Sequence, residues 1–167
     1  MPDRGILVMT EARREGSMAQ VKAIPEGYHT VTPFLNVDGA REAIAFYKQA
    51  FGAEERALMP MPDGKVMHSE IKIGDSIVMI SDAIMLPATH SALHLYVQDV
   101  DAIWAKAVAA GCQVIVPLAD QFWGDRYGIL SDRWGNRWSI ASHKEDISMA
   151  EMGRRAGEAV KQMGGKP

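Results

Sequence analysis

The sequence predicts an α+β fold of two tandem βαβββ units that form a curved mixed sheet with helices on its outer face. Three observations carry this. The same order of strand, aspartate, helix and glycine comes round twice, three strand-like segments follow each helix, and each copy closes through a glycine turn into a last strand. One supersecondary unit repeated in this way reads as a duplicated domain.

In the first copy, residues 30–37 (Thr-Val-Thr-Pro-Phe-Leu-Asn-Val) read as a strand. Asp38 is the expected cap of a helix over 40–51, where Ala43, Ile44, Tyr47 and Phe51 recur at helical spacing and Gly52 stops it. Strands are expected at 54–59, at 65–73 and, after the turn Gly74-Asp75-Ser76, at 77–80. The second copy repeats the series with a strand at 91–97, the cap Asp99, a helix over 100–110 and the stop Gly111. Strands follow at 113–118, at 127–132 and, after Gly135-Asn136-Arg137, at 138–141. Ser148 and Glu151 form a capping box that opens a C-terminal helix.

The units therefore fall at about 28–88 and 89–146, with the last helix over 147–163. Residues 1–27 read as a weakly ordered N-terminal arm, because 1–17 have no hydrophobic period. The apolar run Ile6 to Met9 is too short for a signal-peptide core, and no segment has the apolar length of a membrane span. A net charge of −3 and a pI near 5.9 leave no basic footprint for nucleic acid. The single cysteine, Cys112, excludes an intrachain disulfide and fits a reducing cytoplasm; it reads as a small buried apolar group.

Strand alternation separates two faces. Leu93, Leu95 and Val97 oppose Ala92, His94 and Tyr96, while Val31, Pro33, Leu35 and Val37 oppose Thr32, Phe34 and Asn36. Met67, Ile71 and Ile73 oppose His68, Glu70 and Lys72, and Trp138 and Ile140 oppose Arg137, Ser139 and Ala141. The first set of each pair is apolar and must lie under the helices. The second mixes polar groups with Phe34 and Tyr96; with Trp123 in a nearby loop it has the composition of a small-molecule pocket. Solvation alone would also account for the polar members.

The segments Phe46-Tyr47-Lys48-Gln49-Ala50-Phe51-Gly52, His94-Leu95-Tyr96-Val97, Asp120-Gln121-Phe122-Trp123-Gly124-Asp125-Arg126 and Asp132-Arg133-Trp134-Gly135-Asn136 carry a resemblance. Over residues 28–146 the chain resembles the glyoxalase/bleomycin-resistance/dioxygenase (vicinal oxygen chelate) superfamily, and more narrowly its PhnB-like branch. Metalloenzymes of that superfamily place His or Glu early on the first strand and near the middle of the last strand of each unit. The resemblance carries those positions onto Thr32, Val78 or Met79, Ala92 and Ser139. None is a good ligand, so the usual metal centre is expected to be absent.

The expected function is therefore metal-independent binding of a small organic ligand in a concave cavity. Thr32, Phe34, Tyr96, Trp123, Arg126, Arg137 and Ser139 are its candidate binding residues, with Trp123 and Arg126 at the entrance. The alternative is a lyase-, isomerase- or dioxygenase-type enzyme, using His68, Glu70 and His94 as a displaced divalent-metal or acid–base site. His90 and His143 read as surface residues. The resemblance also implies a homodimer, since members of the superfamily complete their cavities by pairing units within or between chains. Met149, Met152, Ala156, Ala159, Val160 and Met163 give the last helix apolar content for a partner or for covering its own domain.

Overall fold

The computed structural model describes residues 21–164. Most of the expected N-terminal arm, residues 1–20, lies outside the described residues. The first unit contains β1 (Phe34–Val37), α1 (Ala40–Phe51), β2 (Glu54–Pro60), β3 (Val66–Ile73) and β4 (Ser76–Asp82). The second contains β5 (Ala92–Tyr96), α2 (Val100–Ala110), β6 (Gln113–Asp120), β7 (Asp125–Ser131) and β8 (Arg137–His143), and α3 (Met149–Gly164) follows. Each unit builds one four-stranded mixed sheet, in the orders β1-β4-β3-β2 and β5-β8-β7-β6. The first strand of each runs parallel to the last, and the other neighbours are antiparallel.

The registers of the two units match. Phe34 faces Met79 in the first as His94 faces Ser139 in the second. The helix starts match as well, by different chemistry. At α1 the Asp82 carboxylate accepts from the N–H groups of Gly39 and Ala40 (2.9 and 3.0 Å) and from Val66 N–H (2.6 Å). These donors outweigh the effect of partial burial and hold Asp82 below its ordinary pKa. At α2 the equivalent Ser142 hydroxyl accepts from Val100 N–H and donates to Val97 O. The expected cap Asp99 also bonds Ala102 N–H.

Asp38, in contrast, does not cap α1. Gly39 occupies the cap position in a left-handed conformation, and the carboxylate from β4 supplies the missing acceptor. The ladder of β1 also begins later than expected, at Phe34, since Pro33 has no N–H to give. Val31 accordingly lies exposed outside the strand instead of on the apolar face. Ser148 does cap α3 through Glu151 N–H, but the Glu151 side chain pairs with Arg154 and Arg155.

The units meet through their helices. α1 packs on α2, and no strand of one sheet pairs with the other sheet. One core runs across both, including Leu35, Ile71 and Ile80 from the first sheet and Leu130, Trp138 and Ile140 from the second. Each such aliphatic side chain contributes about 2 kcal/mol by leaving water. Gly128 lets Trp104 of α2 lie directly on β7, where a Cβ would strike the indole. Cys112 is buried as expected, and burial pushes its thiol up to about 12. Among the described residues no helix is long and apolar enough to cross a membrane.

The joint between units is polar at its centre. Asp132 accepts from the Tyr47 hydroxyl (2.7 Å), Trp138 Nε1 (2.9 Å) and Asn136 Nδ2 (3.1 Å), and from the backbone N–H groups of Trp134 and Asn136. Burial and the adjacent carboxylate raise the Tyr47 pKa, so the phenol remains a donor. Tyr47→Phe removes one of these bonds and is expected to cost about 1.5 kcal/mol. Asp132→Ala strands several buried donors and is expected to cost about 4 kcal/mol. Urea denaturation measures both, and a midpoint for Asp132→Ala equal to wild type would contradict the assignment.

Candidate functional site

With the helices packed on one face of each sheet, the other face of each is turned away from the core. Leu93 and Leu95 pack on the core, while His94 and Tyr96 are exposed on the far side, Tyr96 by 65%. On the first sheet Phe34 is 48% exposed, and His68, Glu70 and Lys72 oppose the buried Ser69, Ile71 and Ile73.

The second sheet's open face is an aromatic ledge. The His94 ring stands 4.5 Å from Tyr96 and is stacked at 5.9 Å on Tyr127. Trp123 meets Tyr127 edge-on at 5.5 Å, and Phe122 meets Trp123 at 5.0 Å. Behind the rings Ala141 pairs with Tyr96 on one side and Tyr127 on the other, and is fully buried. Ser139 bonds His94 Nδ1 at 2.8 Å and also donates to Leu93 O.

Asp125 organises this ledge. It is only 5% exposed, and accepts from the Tyr96 hydroxyl (3.0 Å), Trp123 Nε1 (3.1 Å) and His143 Nδ1 (2.7 Å). Burial would raise its pKa, but the bonds from His143, Tyr96 and Trp123 outweigh that and lower it. His143 also contacts Asp146 at 3.0 Å through Nε2. The adjoining Gly124 has φ +97°, and an added Cβ would collide with the Glu145 carbonyl. Its own carbonyl accepts from Lys144 and Glu145 N–H, which fixes the segment beyond β8.

On the first sheet His68 Nε2 lies 3.3 Å from Glu70 Oε1. A Tyr28 bond and His68 both hold Glu70 below its ordinary pKa. Phe34 is tilted against His68 at 6.4 Å.

Several sequence expectations are corrected. His68 and Glu70 stand on the first sheet and His94 on the second; among the described residues no three His, Cys, Asp or Glu side chains are grouped to hold a metal. Thr32 precedes β1 and its hydroxyl donates to His29 O. Arg126 points to the helix side, where it clasps Asp101 (2.7–3.1 Å) and reaches Asp120. His143 is half-exposed, as a surface residue would be, but is bonded into the ledge's support. Asp125, Tyr127 and His143 are the site residues that the sequence reading missed. Clefts do occur elsewhere: one of about 440 Å³ lies between the units at Val37, Glu42, His90, Arg133 and Trp134. It shares no residue with the ledge, where His94 and Tyr96 are exposed.

A family model, described as the glyoxalase/bleomycin resistance protein/dioxygenase superfamily, matches residues 28–140. The chain belongs to this superfamily. An uncharacterised protein of Mycobacterium bovis is 38% identical over 134 residues, covering 73% of this chain and 88% of its own. TnmS3, an antibiotic binding protein from a Streptomyces species, is 25% identical with a TM-score of 0.57, covering 74% of this chain and all of its own. The PhnB protein of Bacillus cereus shares the fold at 21% identity and a TM-score of 0.54, over 68% of this chain and 99% of its own.

Membership in the superfamily makes the residues at its ligand positions decisive. The matched registers resolve the ambiguity on β4: Met79 is the counterpart of Ser139, and Val78 is buried under α1's side of the sheet. Thr32, Met79, Ala92 and Ser139 provide neither imidazole nor carboxylate, so these four do not fit the superfamily's metal.

The ledge's support has a pH signature. Asp125, and then Asp146, raise the His143 pKa above its ordinary value. That contribution to stability is complete below pH about 6.5 and is lost as pH rises through the folded-state value. Thermal melts from pH 6 to 9 are expected to show a fall in wild type that His143→Gln lacks. Identical pH profiles for the two would contradict the linkage.

Proposed function

We propose that this protein binds a small organic molecule against the open sheet faces, without the superfamily's usual metal, as a cytoplasmic homodimer. The observation that carries the reading is the ledge of His94, Tyr96, Trp123 and Tyr127, held by Asp125 on a face turned away from the core. Exposed or half-exposed aromatic rings, with the Tyr96 hydroxyl and Trp123 indole N–H already bonded, are suited to a ligand's apolar surface. TnmS3, which has this fold, is an antibiotic binding protein, and this supports a carrier or sequestering role.

The exposure of both faces supports the dimer. A single chain leaves Phe34, Met59 and Tyr96 at about half exposure or more. Setting the first sheet of one copy across from the second sheet of its partner would enclose a cavity between them. The ligand would then touch residues from both copies.

A second reading rests on the His68–Glu70 contact. In such a pair these groups would face His94 of the partner subunit, an arrangement open to acid–base chemistry or a displaced divalent ion. Metal analysis of protein purified without chelator separates binding alone from the displaced-ion form of this second reading: binding alone predicts far less than one ion per chain.

Light scattering at micromolar concentration is expected to give a particle of twice the 18.3 kDa chain mass. His94→Ala is expected to weaken ligand binding about tenfold while leaving the melting temperature nearly unchanged, since Leu93 and Leu95 carry the packing. A monomer would overturn the shared cavity, and unaltered affinity would remove His94 from the site.

A further inference from the structure

Resting on that reading, we propose the ligand's chemical class: an aromatic acid, packed against the His94, Tyr96 and Tyr127 rings with its anionic group at Arg137. The ring requirement comes from the ledge's construction. Ser139 and Ala141 beneath the rings are small, so the rings themselves supply most of the apolar surface of this face. The rings are also fixed before any ligand arrives, Tyr96 and Trp123 through Asp125, and His94 through Ser139. Little side-chain freedom is then lost when a ligand packs on them, which favours a rigid aromatic partner over a flexible aliphatic one.

The charge requirement comes from what remains unbonded on that face. Asp125 is the carboxylate that the open side of β5, β7 and β8 carries, and it is buried with both oxygens already accepting hydrogen bonds. A cationic ligand would therefore meet no counter-charge on the ledge. Arg137 stands on the same side of β8, two residues before Ser139, and is exposed. Among the described residues it makes no salt bridge, whereas Arg126, Arg154 and Arg155 each hold carboxylates. An uncommitted guanidinium beside stacked rings is matched to a carboxylate, which it can bind through two parallel N–H donors. His94 Nε2, opposite the nitrogen held by Ser139, offers one more polar contact. Of the two arginines expected in the site, Arg137 is the uncommitted one, because Arg126 is taken up by Asp101 and Asp120.

Calorimetric titration of the full chain with three naphthalenes tests this: 2-naphthoate, 2-naphthalenemethanol and 2-naphthylmethylamine. The acid is expected to bind about tenfold more tightly than the amine. Arg137→Gln is expected to bring the acid down to the alcohol's affinity and leave the alcohol unchanged. Tyr127→Ala is expected to weaken all three. If the alcohol or amine binds as tightly as the acid, or Arg137→Gln leaves the acid's affinity intact, the anionic class is overturned while binding of a small organic molecule stands. If none of the three binds, both the class and the reading beneath it are overturned.

Discussion

A buried carboxylate ties the two halves of this protein together at the centre of their joint. Asp132 lies in the turn between β7 and β8, yet its shortest bond goes to Tyr47 on the helix of the other unit. Its remaining bonds hold the turn itself and the Trp138 indole. The sheets share no strand ladder, so the units are oriented by this polar centre and by the helix contacts around it. A buried charge is tolerated only when its lone pairs are used, and here five donors use them. The functional consequence is indirect. Joining the units through their helices commits the apolar sheet faces to the core and leaves the polar, aromatic faces uncovered.

Duplication supplied the frame, and divergence the chemistry. Asp82 and Ser142 perform one task at equivalent places, anchoring the start of a helix to the last strand of its unit. At the open faces the equivalent positions have parted. Phe34 corresponds to His94, Asn36 to Tyr96, and Met79 to Ser139. One face carries a histidine–glutamate contact beside a phenylalanine, the other a ring ledge on a buried aspartate. Two unlike walls are what an asymmetric ligand requires.

Much of this was legible in the sequence because alternation is a local property. Leu93 and Leu95 against His94 and Tyr96 could be assigned from parity alone, and Gly52 and Gly111 marked both helix ends. The errors have physical sources. Beginning β7 at Tyr127 instead of Asp125 hid the parity of the Trp-Gly-Asp-Arg run. Counted from Asp125, that strand places Asp125 and Tyr127 on the ledge and Arg126 beneath it. His143 carries no local sign of its role, since its partner is eighteen residues away. The cap from Asp82 was invisible for the same reason: it reaches α1 from the far end of the unit.

The proposed cavity lies between the first sheet of one copy and the second sheet of another. Mixed dimers test it most directly. Phe34→Ala damages one wall and Tyr127→Ala the other, so each variant alone would have no intact cavity. After the two are mixed and subunits exchange, a mixed dimer regains one cavity with both walls intact. Titration with whichever naphthalene probe wild type binds most tightly is predicted to show binding restored in the mixture, at wild-type affinity and reduced stoichiometry. Binding that stays lost after complete exchange would contradict a shared cavity.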